Sequence, residues 1–226
     1  MLNIQRFVCN PFQENTYIVS DETHDAVIID CGVFFQEERK ALVNYISEQH
    51  LQPRHLLVTH GHIDHNFGNN TIFEQYGLKP EVSAADEPLM HQLAEQSIAF
   101  INYELDYELP AVEKYLVPTD IITFGSHRLC VIPTPGHTPG GCFFYCAEEK
   151  LAFSGDTLFR MSVGRTDFEL GSYTDLSKSL ECVVNTLPHD TTILCGHGPQ
   201  TTLADEIRYN PYLKKINVPK HLVISE

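Results

Sequence analysis

The chain has 226 residues, 42% of them hydrophobic and 20% charged, a composition typical of a folded domain with a buried core. Its formal net charge is −15, which would repel a phosphate backbone at long range, so we expect no nucleic-acid partner. No apolar run approaches the roughly 18 residues of a membrane span, and the N-terminus lacks the pattern of a signal peptide. We therefore expect a cytoplasmic protein without a membrane partner.

Short β-branched or apolar runs bounded by turn residues recur along the chain and predict strands. The predicted strands are residues 15–20, 25–30, 54–59, 127–132, 150–155 and 191–196. Helical periodicity appears between strands, at 35–50 and at 174–187. This order of strands and helices predicts one α/β (α+β) domain over residues 1–226.

Two capping boxes mark the starts of predicted helices. Ser172 with Asp175 precedes the periodic stretch that ends near residue 187, and Thr202 with Asp205 precedes a last helix. The seven cysteines are scattered singly without a Cys-x-x-Cys pair, which is typical of reduced thiols in a cytosol. Three of them lie in apolar runs, and we expect these in the core: Cys130, Cys142 and Cys195.

Residues 85–118 are polar and aromatic, and we expect a helical insertion without strand character. Phe100 and Tyr103 lie in this segment. Aromatic side chains in such an insertion could form a wall that contacts a substrate. A helical flap packed on the core is an equally good interpretation of the same residues.

One stretch carries an unusual concentration of metal-ligating side chains: His60, His62, Asp64 and His65 lie within six residues. Histidines two positions apart cannot share a helix face, so this segment requires an extended loop, and Gly61 lets the backbone bend. Such a cluster is hard to explain as a chance arrangement of surface residues.

Four predicted strands each lead to a candidate ligand. The ligands that follow them are His60, His137, Asp156 and His197. Sites in α/β proteins gather beyond the carboxyl ends of strands, so these four ends can meet at one edge. Taken singly, the turn around His137 and the Gly-flanked Asp156 and His197 are weak signals, and their joint order carries the inference.

Seven ligands are too many for one tetrahedral ion and suit two ions that share a bridging carboxylate. Imidazole and carboxylate are ligands for zinc, and also for iron or manganese. Two ions about 3.5–4 Å apart can hold a bridging water that ionises near neutral pH and attacks an electrophilic carbon. A non-catalytic zinc module would instead require closed four-ligand sites.

Isolated histidines elsewhere are expected on the exposed surface. They are His24, His50, His55, His91, His127, His189 and His221.

The motifs T-H-x-H-x-D-H, P-G-H-T-P-G, G-D-T-L-F and G-H-G occur in this order and resemble those of the metallo-β-lactamase superfamily, in particular its glyoxalase II-like (hydroxyacylglutathione hydrolase-like) members. The resemblance covers nearly the whole chain and implies an αββα sandwich. The ligand sets that it implies are His60, His62 and His137 for one metal, Asp64, His65 and His197 for the other, and Asp156 as the bridge. Orienting the attacking water is a second role open to Asp64.

The resemblance implies a dinuclear metal-dependent hydrolase that cleaves a small-molecule thioester with a metal-bridging hydroxide. The tail after residue 213 is short for the basic helical region with which hydroxyacylglutathione hydrolases grip glutathione, which leaves the thiol open. The oligomeric state is open too. A cysteine ligand of the first β-lactam-hydrolysing group would be expected where Gly155 and Asp156 stand, so β-lactamase activity is not expected.

Two further activities are compatible with these motifs. Persulfide dioxygenases share the first motif and a GRTDF-like stretch, and use one iron that here would be held by His60, His137 and Asp156. The final GHGP motif favours the hydrolases over that group, which has Ala-His-Asp at this point. A lactone hydrolase would use the same dinuclear centre.

Overall fold

The computed structural model describes residues 1–215, and most of its strands belong to two six-stranded sheets. The strands are β1 (Asn3–Cys9), β2 (Glu14–Ser20), β3 (Asp25–Ile29), β4 (Gln52–Leu57), β5 (Pro80–Ser83), β6 (Lys114–Leu116), β7 (Ile121–Phe124), β8 (His127–Pro133), β9 (Cys142–Cys146), β10 (Leu151–Gly155), β11 (Leu158–Phe159), β12 (Ser162–Val163), β13 (Thr192–Cys195) and β14 (Thr201–Thr202). The helices are α1 (Gln36–Glu48), α2 (Asn69–Tyr76), α3 (Glu87–Met90), α4 (Leu93–Ile101), α5 (Tyr173–Thr186) and α6 (Leu203–Tyr209), with short 3-10 helices at Ile63–His65, Ala84–Asp86 and Leu213–Lys215.

The two sheets differ in strand direction. The first has the order β1-β2-β3-β4-β5-β6, antiparallel from β1 to β3 and parallel from β3 to β6. The second has the order β14-β13-β10-β9-β8-β7 and is antiparallel except where β10 pairs with β13. All six strands predicted from the sequence are confirmed as β2, β3, β4, β8, β10 and β13.

The alternation of side chains along β3 shows how the layers form. Val27 and Ile29 enter the core between the two sheets, whereas Ala26 and Ile28 face the other way and pack with Ile46 of α1. Both sets are fully buried. The first sheet is therefore covered by the second sheet on one face and by helices on the other.

The second sheet is covered in the same way. Leu176, Leu180 and Val183 lie on one face of α5 at helical spacing and pack against Ala152 of β10 and Ile193 of β13. The layers are helix, sheet, sheet and helix, so the predicted αββα sandwich is confirmed. No helix among residues 1–215 is both long and apolar enough to cross a membrane.

Several expectations are corrected. The segment 85–118 contains α3 and α4 but ends in β6, which pairs in parallel with β5, so its expected lack of strand character was wrong. β6 has only three residues, of which only Leu116 is buried, so the sequence shows no alternation of apolar and polar residues that would predict this strand. His127 is buried, not exposed, and its Nδ1 lies 3.0 Å from Oδ2 of Asp21, which provides the buried ring with a polar partner. His55 is half-buried beside Glu81.

Two predictions about thiols and the tail have different outcomes. Cys142 and Cys195 are buried as expected, whereas Cys130 is half-buried. His221 and the end of the tail, residues 216–226, lie outside the described residues.

Candidate metal centre

Both sheets supply the candidate ligands, all of which follow carboxyl ends of strands. His60 follows β4 of the first sheet, and His137, Asp156 and His197 follow β8, β10 and β13 of the second. A short 3-10 helix, Ile63–His65, continues the loop after β4. The sequence-based expectation that these ends converge is met, because all seven side chains lie in one cluster.

The cluster contains two groups of three. We call His60, His62 and His137 the first trio and Asp64, His65 and His197 the second trio, and within each trio the candidate ligand atoms lie within 4.8 Å of one another. In the first trio, Nδ1 of His62 is 2.9 Å from Nε2 of His137. In the second, Oδ2 of Asp64 is 3.3 Å from Nε2 of His197 and 3.7 Å from Nε2 of His65.

Asp156 lies between the two trios. Its Oδ1 is 3.3 Å from Nε2 of His65, and its Oδ2 is 3.5 Å from Nε2 of both His137 and His197. One carboxylate therefore faces members of both trios, which is the position that a bridging ligand requires.

The second ring nitrogen of several histidines is held by a neighbour, which fixes the orientation of the ring. The contacts are His60 Nδ1 with Thr59 Oγ1 at 3.0 Å, His65 Nδ1 with Asp30 Oδ2 at 2.9 Å, His137 Nδ1 donating to the carbonyl of Arg165 at 2.7 Å, and His197 Nδ1 donating to the carbonyl of Phe12 at 3.1 Å.

Burial and charge act differently on the histidines. Burial lowers the pKa of His60 well below its usual value, and burial beside His137 lowers the pKa of His62 to about 4. Both rings are thus neutral, the form that binds a metal. Burial also opposes the charged form of His197, but the carboxylates of Asp156 and Asp64 outweigh it and raise the pKa of His197 to about 10.

The residues fit divalent cations. Nε2 of His60, Nε2 of His65 and Oδ1 of Asp156 are buried and have no partner of hydrogen-bond geometry within the described part of the chain. Buried polar atoms without partners are costly, and a cation between them would remove that cost. Imidazole nitrogens with carboxylate oxygens are the donor set of zinc, iron or manganese.

Asp30 is a site residue that the sequence analysis missed. Its carboxylate accepts hydrogen bonds from the backbone N–H of Thr59 at 2.7 Å and from the Thr59 hydroxyl at 2.8 Å, and it holds His65. Asp30 directly follows β3, so the rule that found the other strand-end residues could have found it too.

Asp86 is a second missed residue, and no sequence signal marked it. It is fully buried and accepts hydrogen bonds from the N–H of Gly61 at 2.8 Å, from the N–H of Gly140 at 2.5 Å and from the hydroxyl of Thr138 at 2.8 Å. Its carboxylate therefore connects the loop of His60 and His62 to the loop of His137.

A cavity of about 450 Å³ opens above the cluster. Its lining residues are Phe12, His62, Asp64, Phe100, His137, Asp156, Phe159, Ser162, Val163, Arg165, Phe168 and His197. Two aromatic residues were predicted to contact a substrate. Among the described residues, Phe100 lines the cavity and Tyr103 does not. Asn102 ends α4 in a left-handed conformation, with φ at 52°, and the ring of Tyr103 packs edge-on against Phe34 at 5.0 Å.

An αββα sandwich with a histidine and aspartate cluster at its strand ends defines a protein with a candidate dinuclear metal centre. Residues 9–197 match the model of the Metallo-beta-lactamase superfamily, and the chain belongs to that superfamily.

Relatives of similar length share most of the chain. Hydroxyacylglutathione hydrolase GloC of Haemophilus influenzae is 34% identical, and the match covers 94% of this chain and 98% of GloC. The crystal structure of TTHA1623 in a di-iron-bound form has a TM-score of 0.82 and 32% identity, and covers 92% of this chain and 100% of that one. BLEG-1, a B3 metallo-beta-lactamase, has a TM-score of 0.83 and 29% identity, and covers 94% and 99%.

Proposed function

We propose that the chain is a thioester hydrolase that works with two divalent metal ions on a small-molecule substrate. The observation that carries the proposal is the arrangement of the two trios around Asp156 at the floor of an open cavity. The similarity to GloC, whose name specifies an acylated glutathione as substrate, supports a thioester as the substrate class.

In this proposal the first trio holds one ion, the second trio holds the other, and Asp156 is shared between them. When bound, the ions supply the Lewis acidity that activates water and polarises a thioester carbonyl. We propose zinc as the ion. Iron and manganese are alternatives, because all three metals accept nitrogen and oxygen ligands. The di-iron form of TTHA1623 makes iron an essential part of the metal test.

The protein's own groups position the reactants. Asp64 faces the cavity, where its carboxylate can accept a hydrogen bond from an attacking water in addition to its place in the second trio. Phe100 and Phe168 stand beside His62, with ring centroids 6.5 and 5.2 Å from its ring, and limit the access of bulk water to this side of the cluster.

Metal analysis combined with a substrate panel tests the proposal. We expect close to two metal equivalents in the purified protein, hydrolysis of thioesters, and loss of both in His60→Ala. The panel includes a lactone and a β-lactam. The absence of a cysteine ligand at Gly155 and Asp156 argues only against the β-lactam-hydrolysing group that binds its metal through that cysteine. One tightly held iron, with oxygen uptake on a persulfide and no thioester cleavage, would identify a dioxygenase instead.

Asp64→Asn separates the two-metal hydrolase from a one-iron enzyme. Asparagine has nearly the same shape but no charge, so the second trio should lose its ion and bound metal should fall from about two equivalents to about one, with thioester hydrolysis reduced by orders of magnitude. Asp25→Asn is the matched control. Asp25 begins β3, at the end of the strand away from the cluster, and pairs with Arg54, so this variant should change neither the metal content nor the rate of hydrolysis. Wild-type hydrolysis rates with a single bound metal would contradict the proposal.

A further inference from the structure

Apolar side chains make up much of the cavity wall outside the seven clustered residues. They are Phe12, Phe100, Phe159, Val163 and Phe168, which we call the apolar wall. The rings of Phe100 and Phe168 are 5.8 Å apart, and the ring of Phe159 is 6.0 Å from that of His197. Apolar surface therefore flanks both trios and suits an apolar group on either side of a reacting carbonyl.

Arg165 is the one cationic Lys or Arg side chain in the described lining, and its charge is already matched. Its Nε and Nη2 donate to the two carboxylate oxygens of Asp167 at 2.6 and 2.7 Å, while its guanidinium lies 4.2 Å from the centroid of the Phe168 ring. A bidentate pair uses the geometry with which arginine otherwise grips a carboxylate of a ligand.

The backbone holds this pair at the cavity rim. The carbonyl of Arg165 accepts from Nδ1 of His137, and an added Cβ at Gly164 would lie 1.8 Å from the carbonyl oxygen of Asp156. The segment is thus packed directly against the cluster, and Arg165 has little freedom to move its backbone away.

An exposed ion pair is weak unless its geometry is ideal, as it is in a bidentate contact between arginine and a carboxylate. Asp167 is two residues from Arg165 and accepts two hydrogen bonds from its guanidinium. A carboxylate of a substrate must break both of these hydrogen bonds before it can pair with the guanidinium in the same way.

We infer that Asp167 is a specificity-determining residue: by occupying Arg165 it makes the cavity select thioesters with neutral, apolar groups over thioesters of carboxylate-bearing thiols such as glutathione. This inference rests on the proposed thioester function and narrows its substrate class. The apolar wall supplies the attraction, and the closed Arg165–Asp167 pair removes the cation that a carboxylate would need.

Binding of two thioethers, which the enzyme cannot cleave, tests the inference directly. S-benzyl-N-acetylcysteamine is neutral, whereas S-benzylglutathione carries the same benzyl group together with two carboxylates and one ammonium group, and so has one net negative charge. Calorimetry on the metal-loaded protein should show the neutral compound binding about tenfold more tightly, the size expected for one unmatched charge. Equal binding, or tighter binding of the glutathione compound, would overturn the inference.

Asp167→Asn then tests the residue itself. The variant frees the guanidinium of Arg165, so the glutathione thioether should bind more tightly. The ratio of the affinity for the neutral thioether to that for the glutathione thioether should therefore fall about fivefold. Adding Arg165→Met to this variant removes the freed cation and should restore the wild-type ratio. Asp190→Asn removes a carboxylate from another exposed pair, with Lys150, and should leave the ratio unchanged. An unchanged ratio in Asp167→Asn, or an equal change in Asp190→Asn, would refute the role of Asp167.

These measurements stay separate from the proposed chemistry, because the thioethers report binding and no turnover occurs. A protein that cleaves no thioester in the panel would refute the proposed function without altering the measured affinity ratio.

Discussion

At the scale of single residues, the carboxylate of Asp86 connects the two loops that supply the whole first trio, although it contributes no atom to that trio. Burial raises the pKa of Asp86, while hydrogen bonds from Thr138, Gly61 and Gly140 favour the ionised form. A buried acid held by three donors at once fixes the distance between the loops.

Asp86→Asn should weaken the first trio without removing any of its members. The amide keeps the size of the carboxylate but replaces one acceptor with an NH₂ group, which meets the N–H of Gly61 or Gly140 without accepting from it. Loss of supporting contacts around ligands typically costs 10–100-fold in metal affinity, and we expect a loss of about that size in a chelator competition.

Two controls separate positioning from general damage. Thr138→Ser retains the hydroxyl that donates to Asp86 and should keep wild-type metal affinity, whereas the free energy of unfolding of Asp86→Asn reports any global loss. Unchanged metal affinity in a folded Asp86→Asn protein would show that the bridge between the loops does not matter.

Phe100 and Tyr103 form a matched pair for the cavity. Their exposed fractions are similar, 43% and 37%, yet only Phe100 lies in the described lining. Phe100→Ala should raise the KM for apolar thioesters several-fold, because it removes part of the apolar wall. Tyr103→Ala should leave KM unchanged and lower stability through the lost contact with Phe34, as measured by denaturant unfolding. An equal change of KM in both variants would contradict this assignment.

At the scale of elements, the start of α5 is coupled to the loop that carries His137. Ser172 caps the helix by accepting from the N–H of Asp175, and its own N–H donates to the carbonyl of Gly136 at 2.8 Å. Gly136 has a φ of 142°, and an added Cβ would lie 2.3 Å from the backbone nitrogen of Leu176. The loop and the helix therefore fit only with glycine at this position.

Substitutions at these two positions should differ in their effect on metal. Ser172→Ala should lower the free energy of unfolding by about 1 kcal/mol, as typical for a lost N-cap, while metal content stays at its wild-type value because the backbone contact remains. Gly136→Ala should reduce both the free energy of unfolding and the metal content, since the loop that carries His137 must move away from α5. Thr202→Ala, at the N-cap of α6, is the matched control for the cap alone. Wild-type metal content in a folded Gly136→Ala protein would contradict the coupling.

The elements also show what the sequence could and could not reveal. Strands with long apolar runs and helices with caps were predictable, because burial and capping leave a local pattern. The short strands β5 and β6 and the burial of His127 were not, since they depend on partners distant in the chain: Tyr115 pairs with Val82, and His127 with Asp21.

At the scale of the whole molecule, the strand-end rule predicted that His60, His137, Asp156 and His197 would converge. The cavity was less predictable. Whether Phe100 or Tyr103 faces it depends on the left-handed turn at Asn102, and the closure of Arg165 onto Asp167 depends on side-chain geometry that no spacing encodes.

The metal centre also lies across the two sheets, which leads to a prediction about the stability of the whole chain. Each trio takes two members from the loop after β4 of the first sheet and one from the second sheet, His137 or His197. An ion held by either trio would therefore link the sheets. The unfolded chain has no such preformed site, so binding should stabilise the folded state.

Removing metal with a chelator should lower the unfolding temperature measured by calorimetry. A ligand at 100 times its Kd stabilises the native state by about 2.7 kcal/mol, which corresponds to roughly 5–10 °C for a domain of this size. Adding zinc back should restore the unfolding temperature, whereas magnesium, which prefers oxygen ligands, should not. His137→Ala should show a smaller response to zinc, because it leaves the first trio with members from one sheet only. Equal unfolding temperatures for the chelated and zinc-loaded proteins would mean that the cluster does not link the sheets through metal.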